Sequence, residues 1–179
     1  MNKKVLVLSG SYRKRGNSDR LCDQFILGAR EAGHTAEKIH LGDKKINHCI
    51  GCRACQANEG KCVHSDDMAD VMKKMLDADV IVIATPVYFY AMAGQVKTLI
   101  DRVFARGSAL KNKEFYIIVS ATDRGQSVAQ IVIQEFRGFF HCLPGAIEKG
   151  IIYGTGARNV GDIEGMPAMT DAYKMGKSV

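Results

Sequence analysis

The chain has 179 residues, enough for one domain with a buried core and too few for a second full one. With 46% hydrophobic and 25% charged residues it has the balance of a globular protein, which excludes a disordered chain, and no apolar run approaches the ~20 residues that cross a bilayer. A net charge of +6 suits anionic partners, but the basic residues are scattered, with no arginine-rich tract or nucleic-acid module, so nucleotide phosphates and acidic redox proteins are favoured over nucleic acid.

Met1-Asn2-Lys3-Lys4 runs straight into Val5 to Leu8, too short an apolar stretch for a signal peptide, so the expected location is cytoplasmic and the first strand spans Val5 to Ser9. A helix follows with Leu21, Cys22, Phe25, Ile26 and Ala29 on one face, stopped by Gly33. The second strand is Ala36 to Leu41. Residues 42–65 then form a long irregular stretch, and loops of that length inside compact domains are usually functional.

Asp66-Asp67 opens the next helix with carboxylates that its positive end favours. The third strand, Val80 to Thr85, precedes a helix carrying Val96, Leu99, Ile100, Val103 and Phe104 on one face. The fourth, Phe115 to Ala121, precedes a stripe of Val128, Ile131, Val132, Phe136 and Phe139. The fifth, Ile147 to Tyr153, precedes a weaker stripe of Met169, Ala172 and Tyr173. Strands alternating with helices in this way predict one α/β domain over residues 1–179, a parallel sheet covered on both faces.

Ligands of such sheets sit beyond the carboxyl ends of the strands, where strand order reverses. The loop after the first strand reads Ser9-Gly10-Ser11-Tyr12-Arg13-Lys14-Arg15-Gly16-Asn17-Ser18 and runs into a helix. Its glycines let backbone approach an anion, its hydroxyl and amide side chains add donors, and the helix start offers free N–H groups. Arg13 adds a charge-assisted bond. The loop is neither the ATP-type G-x-x-x-x-G-K-[ST] nor the dinucleotide G-x-G-x-x-G. The alternative is that Asn17 or Ser18 simply caps the helix and the arginines are solvated.

After the third strand, Pro86, Val87, Tyr88 and Phe89 offer the flat, partly apolar wall that a planar ring needs; packing at a helix start is the alternative. After the fourth, Thr122 heads Thr-Asp-Arg-Gly, which closes over a ligand or caps a helix.

Cys49, Cys52, Cys55 and Cys62 form C-x2-C-x2-C-x6-C. In a reducing cytosol such thiols are for metal or catalysis and not for disulfides. Neighbouring thiolates repel unless a cation shares their charge, Gly51 and Gly60 permit tight turns, and bacterial ferredoxins open with a similar run. A four-thiolate zinc site, to which His48 or His64 contributes, and an empty reduced loop are the alternatives. Cys22 and Cys142 read as buried structural thiols. His34, His40 and His141 have no legible catalytic partner.

The G-S-x-R-x-x-G-N-S loop resembles the phosphate loop of the NADPH-dependent FMN reductase family. The proline, aromatic pair and following lysine with Ile100-Asp101-Arg102 fit the same pattern. The resemblance implies a flavodoxin-like three-layer α/β/α sandwich, a five-stranded parallel sheet of order 2-1-3-4-5, bound FMN, and NAD(P)H as co-substrate. Ser9, Ser11, Arg13, Asn17 and Ser18 would hold the FMN phosphate, and Pro86 to Phe89 would line the ring. The cysteine loop with Asp66-Asp67-Met68 resembles the iron-sulfur flavoprotein branch, which implies a [4Fe-4S] cluster on the four cysteines. It also implies ferredoxin as a possible donor, and a homodimer or homotetramer. The acceptor would be a quinone, a flavin or the cluster. A flavodoxin-like electron carrier is the non-enzymatic alternative, disfavoured by the basic charge and the serine-arginine loop, and a redox sensor is a third.

Overall fold

The computed structural model describes residues 2–179. Five parallel strands, β1 (Lys4–Ser9), β2 (Thr35–His40), β3 (Val80–Tyr88), β5 (Glu114–Ala121) and β6 (Ile147–Thr155), make the sheet, and a two-residue β4 (Ala91–Met92) folds back on β3. The order β2-β1-β3-β5-β6 is the expected 2-1-3-4-5 with β4 standing aside. The fold is flavodoxin-like, and β1 and β3 part company at the carboxyl edge, where Ser9 pairs with Ala84.

Alternate residues of each strand point to opposite faces, so two cores form from continuous apolar runs. Val5, Val7, Val80, Val82 and Ile118 pack under α1 (Asn17–Glu31) and α6 (Pro167–Lys177). Leu6, Leu8, Ile81, Ile83 and Ile117 pack under α3 (Met68–Asp77), α4 (Gly94–Val103) and α5 (Ser127–His141). All five residues of the first predicted stripe, Leu21 to Ala29, are buried.

Four local expectations need correction. The buried face of α5 is Ala129, Val132, Ile133, Phe136 and Phe140, with Ile131 exposed. Adjacent apolar residues there admit two overlapping helical stripes, and contact with the sheet selects the other one. Phe104 lies past the end of α4 and is exposed, and Leu41 sits in a single 3-10 turn, Leu41–Asp43, instead of β2, though its side chain stays buried. Cys142 lies beyond α5 and is exposed, whereas Cys22 is buried as expected.

α1 and α6 cross at glycines. A Cβ on Gly28 would collide with the Tyr173 carbonyl and sit 2.8 Å from the Lys177 nitrogen, and one on Gly176 would collide with the Phe25 carbonyl. Alanine in a helix interior ordinarily gains ~1 kcal/mol over glycine. Here the obstacle is backbone and cannot swing aside, so overpacking of ~1–3 kcal/mol prevails. Gly28→Ala and Gly176→Ala are each expected to lower the urea midpoint. A raised midpoint in either would mean that the helices separate at little cost.

Candidate functional site

The first loop is fixed from below. The Gly10 N–H donates to the Ala84 carbonyl at 2.8 Å, and the Gln95 side-chain amide donates to the Gly10 carbonyl, which ties the loop to β3 and α4. A side chain on Gly10 would meet the Ala84 oxygen at 2.6 Å. The Ser9 hydroxyl donates to Asp19 at 2.9 Å, and Asp19 also accepts from Lys38 and from the Arg15 N–H, each at 2.9 Å. Burial alone would raise the Asp19 carboxyl, but these donors outweigh it and hold the group below the ordinary carboxylate range. The one acid of this turn thus stays ionised, buried and paired with Lys38.

The mouth is the start of α1. No side chain caps that helix, so its first-turn N–H groups are left for a ligand. Ser11 accepts from the Arg13 N–H at 3.0 Å, which sets the curl of the loop. The Asn17 amide donates to the Asn159 carbonyl at 2.9 Å and accepts from the Gly161 N–H at 3.2 Å, so it staples the loop after β6 onto the first loop.

β3 continues past Thr85 because Val87 and Tyr88 pair with Met92 and Ala91. Thr85 accepts from the Ala93 N–H at 2.9 Å, fixing the base of this hairpin at the start of α4. Its tip is Phe89 and Tyr90, with φ of 48° and 63°, a left-handed turn usually left to Asn and Gly. Such strain concentrates at functional sites, and both rings are exposed.

These pieces enclose an open cleft of about 240 Å³ at the carboxyl ends of β1, β3 and β5. Ser11, Arg13, Asn17, Ser18, Pro86, Val87, Tyr88 and Thr122 all line it. Ser9 does not, being buried beneath with Asp19, and Phe89 stands at the hairpin tip outside it. Ser120, Ala157, Arg158 and Val160, which the sequence reading did not single out, lie on the same cleft, together with Gly16 and Ala121 of the loops it named. The signal was available for Arg158, since the strand rule that picked out three loops applies equally to the turn after the fifth. The lining holds two arginines and no carboxylate.

The cysteine loop lies apart from this cleft. Cys49, Cys52, Cys55 and Cys62 are all free thiols and open onto one narrow hollow walled by Ile50, Val63 and Phe104. Cys55 is carried on a short helix, α2 (Ala54–Ala57), and is the buried one. Left-handed backbone at Gly51, Arg53, Glu59 and Gly60 makes the turns that wrap the hollow. Among the described residues no three His, Cys, Asp or Glu side chains converge on a single metal-ion position.

Asp66 and Arg102, with side chains 4% and 2% exposed, hold the loop's base. Arg102 donates to both Asp66 oxygens, at 2.7 and 3.0 Å, and to the Asn47 carbonyl at 2.6 Å. Burial would raise the Asp66 carboxyl, but the Arg102 fork and the Asn47 and Met68 N–H groups hold it far below the ordinary range. Asp66 therefore does more than open α3. Two buried nitrogens at this end of the loop, Arg102 Nε and His64 Nε2, have no hydrogen-bond partner.

The sequence profile described as NADPH-dependent FMN reductase matches residues 3–146. An iron-sulfur flavoprotein of Methanocaldococcus jannaschii is 37% identical over 139 residues, covering 76% of this chain and 71% of its own. An iron-sulfur flavoprotein of Archaeoglobus fulgidus is 38% identical over 104 residues, 58% of this chain and 47% of its own, so this chain spans about half that relative's length. Among solved structures, an NAD(P)H:quinone oxidoreductase from Methanothermobacter marburgensis superposes with a TM-score of 0.78 at 16% identity, covering 99% of this chain and 96% of that one, a likeness of fold.

Proposed function

The chain belongs to the NADPH-dependent FMN reductase family, and from that premise we propose that it moves electrons from NAD(P)H through bound FMN to an acceptor. The observation that carries this is the cleft: an uncapped helix start, hydroxyls and two arginines at one end, an apolar wall at the other, and no acid between them.

In this reading Ser11, Ser18, the first-turn N–H groups and Arg13 hold the phosphate, with Asn17 fixing the loop that brings Arg158. Ser9 acts indirectly, by anchoring Asp19. Pro86, Val87 and Tyr88 flank the ring, Thr122 meets its polar edge, and Phe89 stands at the entrance. Bound FMN supplies hydride chemistry towards a nicotinamide and single-electron chemistry towards a metal cluster, so the protein need only position it and control access. At about 240 Å³ the cleft is smaller than the ~300–1,000 Å³ of typical ligand sites, so it would enclose only part of the FMN and leave a face of the ring open to a nicotinamide or a second subunit.

Cys49, Cys52, Cys55 and Cys62 would hold a [4Fe-4S] cluster. The support is their common hollow and the two partnerless buried nitrogens, Arg102 Nε and His64 Nε2, at the loop's end. Residues 1–179 then act as one FMN-binding domain, cytoplasmic and assembled as a homodimer or homotetramer. No helix among the described residues is long and apolar enough to cross a membrane. A ferredoxin-linked iron-sulfur flavoprotein is the second reading, favoured by the net charge of +6 against an acidic partner.

Arg13→Ala removes a charge-assisted bond worth ~1.5–3 kcal/mol, so FMN affinity should fall about ten-fold or more in a fluorescence titration. An unchanged titration takes Arg13 out of the site. Under nitrogen, NADH or NADPH should bleach the bound flavin without added enzyme. No bleaching by either, with rapid bleaching by reduced ferredoxin, would favour the ferredoxin-linked reading.

A further inference from the structure

We infer that Arg102 is a positioning residue for the cysteine site, its Nε donating a hydrogen bond to the Cys62 sulfur once that sulfur is bound in a cluster. The inference rests on the cluster reading given above.

Arg102 has five N–H donors in a rigid fork. The structure shows where three bonds go: two to Asp66 and one to the Asn47 carbonyl. Asn47 precedes the first cysteine by two residues and Asp66 follows the last by four, so one guanidinium closes both ends of the loop. The Asn47 N–H returns a bond to Asp66 at 2.9 Å, which locks the closure. Held so, the guanidinium cannot turn, and its Nε stays buried without a partner. A buried, partnerless N–H is costly and rare, and wants an explanation.

Cys62 supplies one. Cys62 and Arg102 line one cavity, with Gly60 and His64 beside them. A thiol is a weak acceptor and leaves the Nε effectively unsatisfied, whereas a metal-bound thiolate carries negative charge and accepts well. Donors to cluster sulfurs stabilise the more electron-rich, reduced state and so raise the reduction potential. Lysine at this place would keep the charge but lacks the planar fork, and could not serve Asp66, Asn47 and the sulfur together.

The test is a redox titration of anaerobically reconstituted protein, with iron, sulfide and FMN assayed on each sample. Arg102→Lys should retain FMN and cluster but favour the reduced state on the order of ten-fold less, a potential about 59 mV more negative for a one-electron couple. Should that variant not fold, Asp66→Asn with Arg102→Gln removes both buried charges together and should shift the potential the same way. If the variant that folds loads its cluster at the wild-type potential, Arg102 only ties the loop and the inference is wrong. If wild-type protein takes up neither iron nor sulfide, the cluster reading itself fails and this inference with it.

Discussion

Asp66→Ala is expected to lower stability by about 3 to 5 kcal/mol, because it strips a buried guanidinium of its counter-ion. Both side chains are almost wholly enclosed, at 4% and 2% exposure. Besides Arg102, the carboxylate accepts from the Asn47 backbone N–H, the Asn47 amide and the Met68 N–H, at 2.9, 3.2 and 3.1 Å. Alanine leaves the Arg102 fork and the Met68 N–H unmet, while exposed Asn47 turns to water; a surface ion pair such as Lys97 with Asp101 bears no comparison, being worth ~0–1 kcal/mol.

The same group gives a pH signature. Its folded pKa is depressed, so its contribution is fully present above the unfolded value of ~3.9 and is lost as pH falls below that towards the folded value. Urea unfolding of the wild type and of Asp66→Ala should therefore differ most near neutrality and converge in acid. A difference under ~1 kcal/mol at pH 7 would mean that water reaches Arg102 in the variant and the pair is not truly enclosed.

The sheet was legible because each central strand is a continuous apolar run and each helix has an apolar stripe, signals that repeat every two or every three to four residues along the chain itself. Contacts between distant segments are invisible to that reading. Gly28 and Gly176 carry no local reason to be glycine, and only the crossing of α1 and α6 explains them. Arg102 sits in an amphipathic helix where an arginine reads as solvated, yet it is drawn inward by an acid 36 residues earlier. In the cleft, the loops after β1 and β3 carried residue types that announce anion and ring binding, while Arg158 is one arginine in a turn. It joins the site because Asn17 holds that turn in place. Ser9 shows the opposite failure: the right residue type in the right loop, with its hydroxyl already taken by Asp19.

Replacing Cys55 by serine is expected to abolish cluster assembly while leaving FMN bound. Of the four cysteines Cys55 alone is buried, held on α2 at the back of the hollow, so a harder, weakly metal-binding hydroxyl there cannot be bypassed by a solvent ligand. The other three are more open, and their serine variants should retain more of the metal. Anaerobic reconstitution of the wild type should give about four irons and four sulfides per chain, as a four-cysteine site requires. FMN should survive every one of these changes, because the cleft lined by Arg13, Ser18 and Thr122 shares no residue with the hollow lined by the cysteines. Cys22 and Cys142 are internal controls of opposite kinds. Burial pushes the Cys22 thiol far above its ordinary range, which keeps it inert, and Cys142 is exposed beyond α5, outside the loop. Cys142→Ser and Cys22→Ala should both keep full iron content. Uptake of one zinc per chain without sulfide, or equal iron in the wild type and in all four serine variants, would refute the cluster and leave a flavin site with a reduced thiol loop beside it.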